Sequence, residues 1–273
     1  MSFIRRGARR IVDAWLPELG HAYRHLRDKR AAAAPLVDTP FGFKLSGNRI
    51  MADGDFEREE IDVFLKYLRN ASACIDIGAN IGLYTCLAAA QRKKVIAVEP
   101  LNLNLDVLYR NLDGNSFFDV EVFPMGLSSS AGVKRLYGNN TGASFLPGWA
   151  GAPDKWYEVV PVNTLDLIVN TRFDGQPLLI KIDVEGVEFD VLEGATHTLG
   201  LSPRPAWLVE VNQGENFPSG HNDNFHRTFE LFWQRGYEAR TANREERLIR
   251  PSDVERWLKQ GCVDFGSHNY IFC

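Results

Sequence analysis

Residues 74–85 read Cys-Ile-Asp-Ile-Gly-Ala-Asn-Ile-Gly-Leu-Tyr-Thr, and this stretch decides the fold. An apolar run of strand length ends in a Gly-x-Asn-x-Gly turn, which leads directly into a helical pattern. Gly78 and Gly82 permit positive φ angles and let a ligand come close to the backbone. In an open α/β sheet, ligands bind in the crevice beyond the carboxyl ends of the strands. The turn therefore predicts a binding site, with Asp76, Gly78, Asn80 and Gly82 as candidate residues.

Short apolar runs alternate with helical patterns from residue 73 onward. The predicted strands are 73–77, 94–98, 120–123, 178–182, 207–211 and 269–272. The predicted helices are 55–68, 83–91, 103–112, 188–199 and 224–235. Between them, 126–165 reads as a β-rich excursion, and a short β-like region covers 41–50. Buried strands joined by helices predict an α/β fold of the Rossmann-like kind, a mostly parallel sheet with helices on both faces.

The second strand ends in Val98-Glu99-Pro100, which places Glu99 17 residues after Gly82. A carboxylate at this position is well placed to accept hydrogen bonds from both hydroxyls of a ribose. A dinucleotide site would show G-x-G-x-x-G, and here no third glycine follows. Asp76 beside the turn would repel a pyrophosphate but suits an ammonium or sulfonium group. The pattern favours S-adenosylmethionine over NAD, and it disfavours a turn that binds no ligand.

A second acidic motif, residues 180–195, follows the fourth predicted strand. In extended backbone, Lys181, Asp183 and Glu185 point to the same side. Charged groups there are costly to bury without partners or a ligand. Glu210 ends the fifth strand at the same edge. The candidate catalytic residues are Asp183, Glu185 and Glu210, and Asp183 is also expected to bind the cofactor. The alternative interpretation of these charged residues is a purely structural ion pair of Lys181 with one acid.

These acids have a chemical use if the bound group is a methyl donor. Displacement at a sulfonium needs alignment of the reactants, and an alcohol that attacks must also lose its proton. We expect Asp183 to take that proton or to orient the hydroxyl, with Glu185 and Glu210 as supporting acids. A divalent cation bound by the same oxygens could instead acidify the hydroxyl. No metal is predicted, and the four cysteines form no C-x-x-C pair and no metal-like cluster.

Four segments together resemble the FkbM family of S-adenosylmethionine-dependent methyltransferases. They are Asp76–Gly82, Val98–Pro100, Ile180–Gly186 and Val191–Ala195, and Ser144 and Thr164–Asp166 also resemble family positions. The resemblance covers roughly residues 55–212 and implies a class I methyltransferase fold. It also implies O-methylation of a hydroxyl on a sugar, a glycan or a natural product, so the expected partner is a small-molecule or saccharide acceptor. The alternatives are a non-catalytic saccharide- or membrane-associated protein that retains the fold, and an NAD-linked oxidoreductase.

Charge is distributed unevenly along the 273 residues. The chain has 31 basic and 35 acidic side chains, for a net charge of −4, yet residues 1–30 contain eight basic and three acidic residues. That segment is +5 and the rest is −9. The acidic balance gives no reason to expect a nucleic-acid partner. The predicted organisation is a basic amphipathic extension over 1–50 and an S-adenosylmethionine-dependent methyltransferase domain over 51–273.

Apolar residues at helical spacing over 4–26, with arginines on the other face, predict an N-terminal helical extension. Such a helix can lie on an anionic membrane surface, although packing on its own domain or on a partner subunit is commoner. No run reaches the length of about 18 apolar residues that a membrane span needs. We expect a cytoplasmic protein with reduced thiols at Cys74 and Cys86, in peripheral contact with the inner face of the membrane if residues 1–30 bind lipid. The oligomeric state is left open.

Overall fold

A computed structural model describes residues 33–138 and 142–273 of the chain. The predicted helix over 4–26 lies outside these ranges. The strands and helices follow one another in the order β1 (Val37–Asp38), β2 (Lys44–Leu45), α1 (Arg49–Asp53), α2 (Arg58–Leu68), β3 (Ala73–Ile77), α3 (Leu83–Ala90), β4 (Lys94–Val98), α4 (Asn102–Gly114), β5 (Glu121–Phe123), β6 (Gly126–Leu127), β7 (Gly132–Tyr137), β8 (Tyr157–Asn163), α5 (Leu165–Val169), β9 (Leu178–Ile182), α6 (Glu188–Glu193), β10 (Ala206–Glu210), α7 (Phe225–Trp233), β11 (Ala239–Thr241), β12 (Leu248–Ile249), α8 (Pro251–Gln260) and β13 (Asn269–Phe272).

An eight-stranded sheet with the order β12-β11-β13-β10-β9-β3-β4-β5 forms the centre of the described structure. The five neighbouring strands from β10 to β5 are parallel, whereas β13, β11 and β12 pair antiparallel. The chain adds β4 and β5 on one side of β3, and β9 and β10 on the other. The order of connection thus reverses between β3 and β9. This is the position at which open α/β sheets bind ligands.

Each central strand is apolar on both faces, because helices cover both sides of the sheet. Within β3, Cys74 packs with residues of α2, α3 and α4, whereas Ile75 packs on the opposite face with residues of α5, α6 and α7. All five residues of β3 and of β9 are buried. The predicted α/β architecture with a mostly parallel sheet is therefore confirmed. Cys74 and Cys86 are buried free thiols, as predicted.

Several element boundaries differ from those predicted. The helix predicted over 188–199 ends at Glu193, and a 3-10 turn follows at Thr198–Gly200. The break occurs at Gly194, where a Cβ atom would lie 2.3 Å from the carbonyl oxygen of Ser128. The region 41–50, predicted as β-like, contains only the short strand β2 and the start of α1. Phe43 and Leu45 of this region are buried against the central sheet.

The β-rich excursion predicted over 126–165 forms a separate three-stranded sheet with the order β6-β8-β7. Helix α5, strands β11 and β12, and helix α8 were not predicted. Helix α8 has local signals that would have predicted it, namely Pro251 in its first turn, the buried residues Val254 and Trp257 three positions apart, and Gly261 after its last residue. None of the helices in the described part of the chain is long and apolar enough to span a membrane.

Candidate active site

At Gly78 the backbone after β3 lies in close contact with the backbone after β9. Gly78 has a φ of 79°, and a Cβ atom at this position would lie 1.8 Å from the carbonyl oxygen of Asp183. The backbone of Asp183 donates to the carbonyl of Ile77 at 3.0 Å, and that of Gly78 donates to the carbonyl of Val98 at 2.9 Å. Glycine is required here for the close approach as well as for the positive φ. The turn thus brings the side chain of Asp183 to the switch point of the sheet.

Glu99 is buried at the end of β4 and is bonded to the turn. Its Oε2 accepts from the backbone N–H of Asn80 at 2.8 Å. Its Oε1 accepts from the N–H of Leu101 at 2.9 Å and from Asn104 Nδ2 at 3.1 Å. Burial raises the pKa of Glu99 to about 7, against the effect of these three donors. A carboxylate has about four acceptor positions, so one remains on Oε2 for a ligand hydroxyl.

Asp76 and Gly82 lie behind the turn and line neither of the two cavities described below. Asp76 is 1% exposed and accepts a hydrogen bond of 2.6 Å from Thr85 Oγ1. Gly82 begins α3 with a φ of 91°, and a Cβ atom there would lie 2.4 Å from Leu108. Both residues shape the turn through contacts inside the protein. Their predicted role in direct cofactor contact stays a prediction.

Lys181 is a buried cation at the centre of the site. It is 3% exposed, its Nζ lies 2.8 Å from Asp183 Oδ2, and it lies 4.4 Å from the ring centroid of Tyr84. Burial alone would lower the pKa of Lys181, but Asp183 and further carboxyl groups nearby raise it. Burial likewise opposes ionisation of Asp183, yet Lys181 keeps the pKa of that carboxyl below its usual value. The ion pair of Lys181 with one acid, which the sequence analysis left as a structural alternative, is present. Its acid, Asp183, also lines the two cavities described below.

Glu57, Glu60 and Tyr84 form a second part of the site, which the sequence did not predict. The hydroxyl of Tyr84 lies 2.7 Å from Glu60 Oε1 and 3.1 Å from Glu57 Oε2. The hydroxyl has a single proton, which these two carboxyl groups share as acceptors, with the shorter contact to Glu60. Burial raises the pKa of Glu60 to about 8, which favours its protonated form. Glu60 stands three and four residues before the buried Val63 and Phe64, so helical periodicity could have placed it on the apolar face, whereas Glu57 at the start of the helix gives no such signal.

Glu185 is held by contacts from the β-rich excursion. It has a φ of 57°, its Oε2 accepts from Trp149 Nε1 at 2.9 Å, and its carbonyl accepts from Ser144 Oγ at 2.6 Å. Gly186 leaves room for the Trp149 ring, since a Cβ there would lie 2.4 Å from it. Burial and the nearby charge of Asp183 raise the pKa of Glu185 to about 8. Ser144 and Trp149 therefore fix the backbone and the side chain of Glu185.

Glu210 meets Asp183 across the neighbouring strands. Val209 pairs with Ile182 in the sheet, so Glu210 and Asp183 follow neighbouring positions of β10 and β9. Glu210 Oε1 also accepts from Asn212 Nδ2 at 2.7 Å. Burial, followed by the charge of Asp183, raises the pKa of Glu210 well above its usual value. The structure thus brings the three candidate catalytic acids together at one edge of the sheet.

Two cavities meet at this cluster and share Gly78, Asn80, Asp183 and Glu185. The first cavity, called the Glu99 cavity, extends past Glu99 to the excursion. Its other lining residues are Ile77, Val98, Pro100, Asn104, Met125, Gly126, Leu127, Leu136, Ala143, Phe145 and Val184. The acid-lined cavity has a volume of about 270 Å³; its other lining residues are Asn48, Met51, Phe56, Glu57, Ala79, Ile81, Leu83, Tyr84, Lys181, Glu210 and Asn216. A group at the shared wall would contact ligands in both cavities.

Asp166, which resembles a family position, has a structural role away from the cavities. Its carboxylate accepts from the backbone and hydroxyl of Thr198 and from the backbone of His197. Among residues 33–138 and 142–273, no group of three or more His, Cys, Asp or Glu side chains is arranged to hold a metal ion.

The cavities at the switch point and the Gly-x-Asn-x-Gly turn define a Rossmann-like α/β domain, a class of fold in which ligands bind beyond the carboxyl ends of the strands. A family model described as the methyltransferase FkbM domain matches residues 76–239. The chain belongs to this family, as its motifs predicted.

Two curated relatives have methyltransferase names. Methyltransferase sdnD of Sordaria araneosa is 32% identical over 152 residues, which are 44% of this chain and 59% of the relative. Hexuronic acid methyltransferase AglP of Haloferax volcanii is 28% identical over 193 residues, 62% of this chain and 78% of the relative. The chain thus spans less than two thirds of the length of sdnD.

Two solved structures have a similar topology. Methyltransferase FkbM from Methylobacillus flagellatus KT is 18% identical with a TM-score of 0.44, and the match covers 74% of this chain and 43% of that one. The O-methyltransferase from Bacillus cereus in complex with SAH is 14% identical with a TM-score of 0.44, and the match covers 97% and 96% of the two chains.

Proposed function

We propose that this protein transfers a methyl group from S-adenosylmethionine to a hydroxyl of a saccharide or a natural product. The observation that carries the proposal is the carboxyl cluster at the wall shared by the two cavities. Family membership and the name of the relative AglP, a hexuronic acid methyltransferase, support a methyl acceptor of this class.

The donor set of the Glu99 cavity fits S-adenosylmethionine. Glu99 has an acceptor position left for a ribose hydroxyl, and Val98, Met125 and Leu127 supply apolar surface for a base. The acids at the shared wall suit the sulfonium, since a positive charge beside them lowers the free energy of their ionised forms. A pyrophosphate at the same wall would be repelled, which disfavours NAD. When bound, the cofactor supplies an activated methyl group.

The protein's own residues then have two tasks, to align the acceptor hydroxyl and to take its proton. We assign the contact with the hydroxyl to Asp183, because it lines both cavities and is fixed by Lys181. Glu185 and Glu210 are the supporting acids. The acceptor enters the acid-lined cavity, where Asn216 of the polar segment 213–224 forms part of the wall.

The cofactor assignment is tested by calorimetric titration with S-adenosylmethionine and with NAD. We expect S-adenosylmethionine to bind and NAD not to bind. Glu99→Ala should weaken S-adenosylmethionine binding by more than tenfold, and a melting curve checks that the variant is folded. NAD binding alone would support an oxidoreductase. Binding of S-adenosylmethionine without turnover on any acceptor would support a non-catalytic protein.

From sequence alone, residues 1–30 are further proposed to contact an anionic membrane surface. Sedimentation with vesicles that contain anionic lipid tests this, with the full chain compared to a chain that lacks residues 1–30. The proposal requires binding that depends on the segment. Equal binding by both chains would contradict it.

A further inference from the structure

The two cavities differ in the carboxyl groups of their walls. Asp183 and Glu185 line both cavities, whereas Glu57 and Glu210 line only the acid-lined cavity. Among the described residues that line either cavity, Lys181 is the one basic side chain, and its Nζ lies 2.8 Å from Asp183. The acid-lined cavity therefore has four carboxyl groups around one ammonium group.

Bound S-adenosylmethionine would match only part of this charge. Its amino-acid tail has an ammonium and a carboxylate that cancel, so the sulfonium is its one net positive charge. The proposed place of the sulfonium is the wall shared by the two cavities, beside Asp183 and Glu185. Lys181 and the sulfonium together match these two carboxyl groups. Glu57 and Glu210 are left without a positive partner.

The hydrogen-bond donors to Glu57 and Glu210 are neutral groups. Glu57 accepts from the hydroxyl of Tyr84 at 3.1 Å, and Glu210 accepts from Asn212 Nδ2 at 2.7 Å. Both glutamates are half-buried, and burial raises the pKa of both carboxyl groups. A cation that enters the cavity would lower the free energy of their ionised forms.

The rest of the wall suits an organic cation. Phe56 and Tyr84 line the same cavity, and aromatic rings attract ammonium groups. Within the described part of the chain, no group of three or more His, Cys, Asp or Glu side chains is arranged to hold a metal ion. The cavity therefore fits an ammonium group better than it fits a metal ion.

We propose that the methyl acceptor bears a protonated amine, which Glu57 binds in the acid-lined cavity while the acceptor hydroxyl contacts Asp183. This inference rests on the proposed function and narrows its acceptor to an amine-bearing saccharide or natural product. Glu210 adds negative charge on the same wall. An acceptor with a carboxylate, such as a hexuronic acid, would bring a further negative charge among these carboxyl groups and would be rejected.

The charge of the acceptor can be measured with the wild-type chain. Glycan and small-molecule extracts are separated at pH 7 by ion exchange into cationic, neutral and anionic pools, and each pool is incubated with methyl-labelled S-adenosylmethionine. We expect label on oxygen in the cationic pool alone. Acetic anhydride in aqueous bicarbonate converts the amines of that pool to neutral amides and leaves the hydroxyls, so it should abolish the transfer; a mock-treated pool is the control.

A variant tests the role of Glu57. Glu57→Gln keeps an oxygen that accepts from Tyr84 but removes the charge, so the KM of the cationic acceptor should rise about tenfold or more. The affinity for S-adenosylmethionine, measured by calorimetry, should be unchanged, because Glu57 does not line the Glu99 cavity. The matched control is Glu59→Gln, since the side chain of Glu59 is 52% exposed and lies 3.8 Å from Arg244. This control should keep the wild-type KM.

Three results would overturn the inference while leaving the proposed function intact. They are label on oxygen in the neutral or anionic pool, transfer that N-acetylation of the cationic pool does not diminish, and a KM that Glu57→Gln raises no more than Glu59→Gln does. The first two do not depend on the folding of any variant. Failure of S-adenosylmethionine to bind, or the absence of label on oxygen in every pool, would instead refute the proposed function.

Discussion

Replacing Lys181 with methionine tests whether its charge holds the acid cluster together. Methionine keeps most of the apolar stem but removes the ammonium group that lies 2.8 Å from Asp183 and 4.4 Å from the Tyr84 ring centroid. Removing one partner of a buried ion pair costs about 3–5 kcal/mol, because the other charge is left uncompensated. We expect a loss of about this size in the free energy of unfolding at pH 8.

The loss should depend on pH. In the wild type, Lys181 holds the pKa of Asp183 below its usual value, so this acid is ionised in both the folded and the unfolded state at pH 5 and at pH 8. Without Lys181, burial raises the pKa of Asp183 in the folded state above that in the unfolded chain. The variant is then stabilised at low pH by proton uptake and loses that stability as the pH rises. The destabilisation should be smaller at pH 5 than at pH 8.

Urea unfolding followed by tryptophan fluorescence at the two pH values measures this effect. Lys66→Met is the matched control, since Lys66 forms an ion pair with Glu246 and is 54% exposed. An exposed pair contributes about 0–1 kcal/mol, so this control should unfold almost as the wild type does. The reasoning would be refuted if Lys181→Met lowered the free energy of unfolding at pH 8 by no more than Lys66→Met does. It would also be refuted if the loss caused by Lys181→Met were the same at pH 5 as at pH 8.

Three further predictions concern other parts of the site. Gly78→Ala should lower the free energy of unfolding in urea by more than about 3 kcal/mol, because the new Cβ would meet the carbonyl of Asp183. Its control is Gly175→Ala, at a position with a similar φ but no atom within 4 Å of the new Cβ. This control should lower the free energy of unfolding by only about 1–3 kcal/mol. Burial raises the pKa of Glu60 from 4.5 to about 8, so the contribution of Glu60 to stability is present below about pH 4.5 and is lost as the pH rises towards 8. Glu60→Gln should therefore flatten the decrease of the melting temperature with pH over this range. An unchanged slope would contradict the raised pKa. Trp149→Phe removes the donor to Glu185, so the pKa of Glu185 should rise further, and NMR titration of the carboxyl would detect it; an unchanged or lower pKa would contradict the role of Trp149.

The central sheet and the turn were predictable because their signals are local. Each of the strands β3, β4 and β9 is a five-residue run with the bounds read from the sequence. The turn residues Gly78 and Asn80 have the positive φ angles that their residue types favour. Since parallel strands end at one edge of a sheet, the grouping of Asp183 with Glu210 also followed from strand order.

Other parts depend on tertiary contacts that no local pattern reports. Glu60 lies on the buried face of α2, three and four residues before Val63 and Phe64, but its hydrogen bond with Tyr84 depends on how α2 packs on α3. Glu99 was expected to accept hydrogen bonds from both hydroxyls of a ribose, yet it accepts three hydrogen bonds from the protein itself. These features are set by which elements pack together, and not by residue spacing.

Methyl transfer itself tests the central claim most directly. The full chain is incubated with methyl-labelled S-adenosylmethionine and fractionated glycan, lipid and small-molecule extracts, and the labelled product is isolated and its labelled atom located by mass spectrometry and NMR. We predict label on an oxygen of a former hydroxyl, and its loss in the Asp183→Asn variant once a melting curve shows that this variant is folded. Label on carbon or nitrogen, undiminished transfer by Asp183→Asn, or no transfer by a protein that binds S-adenosylmethionine would contradict the account.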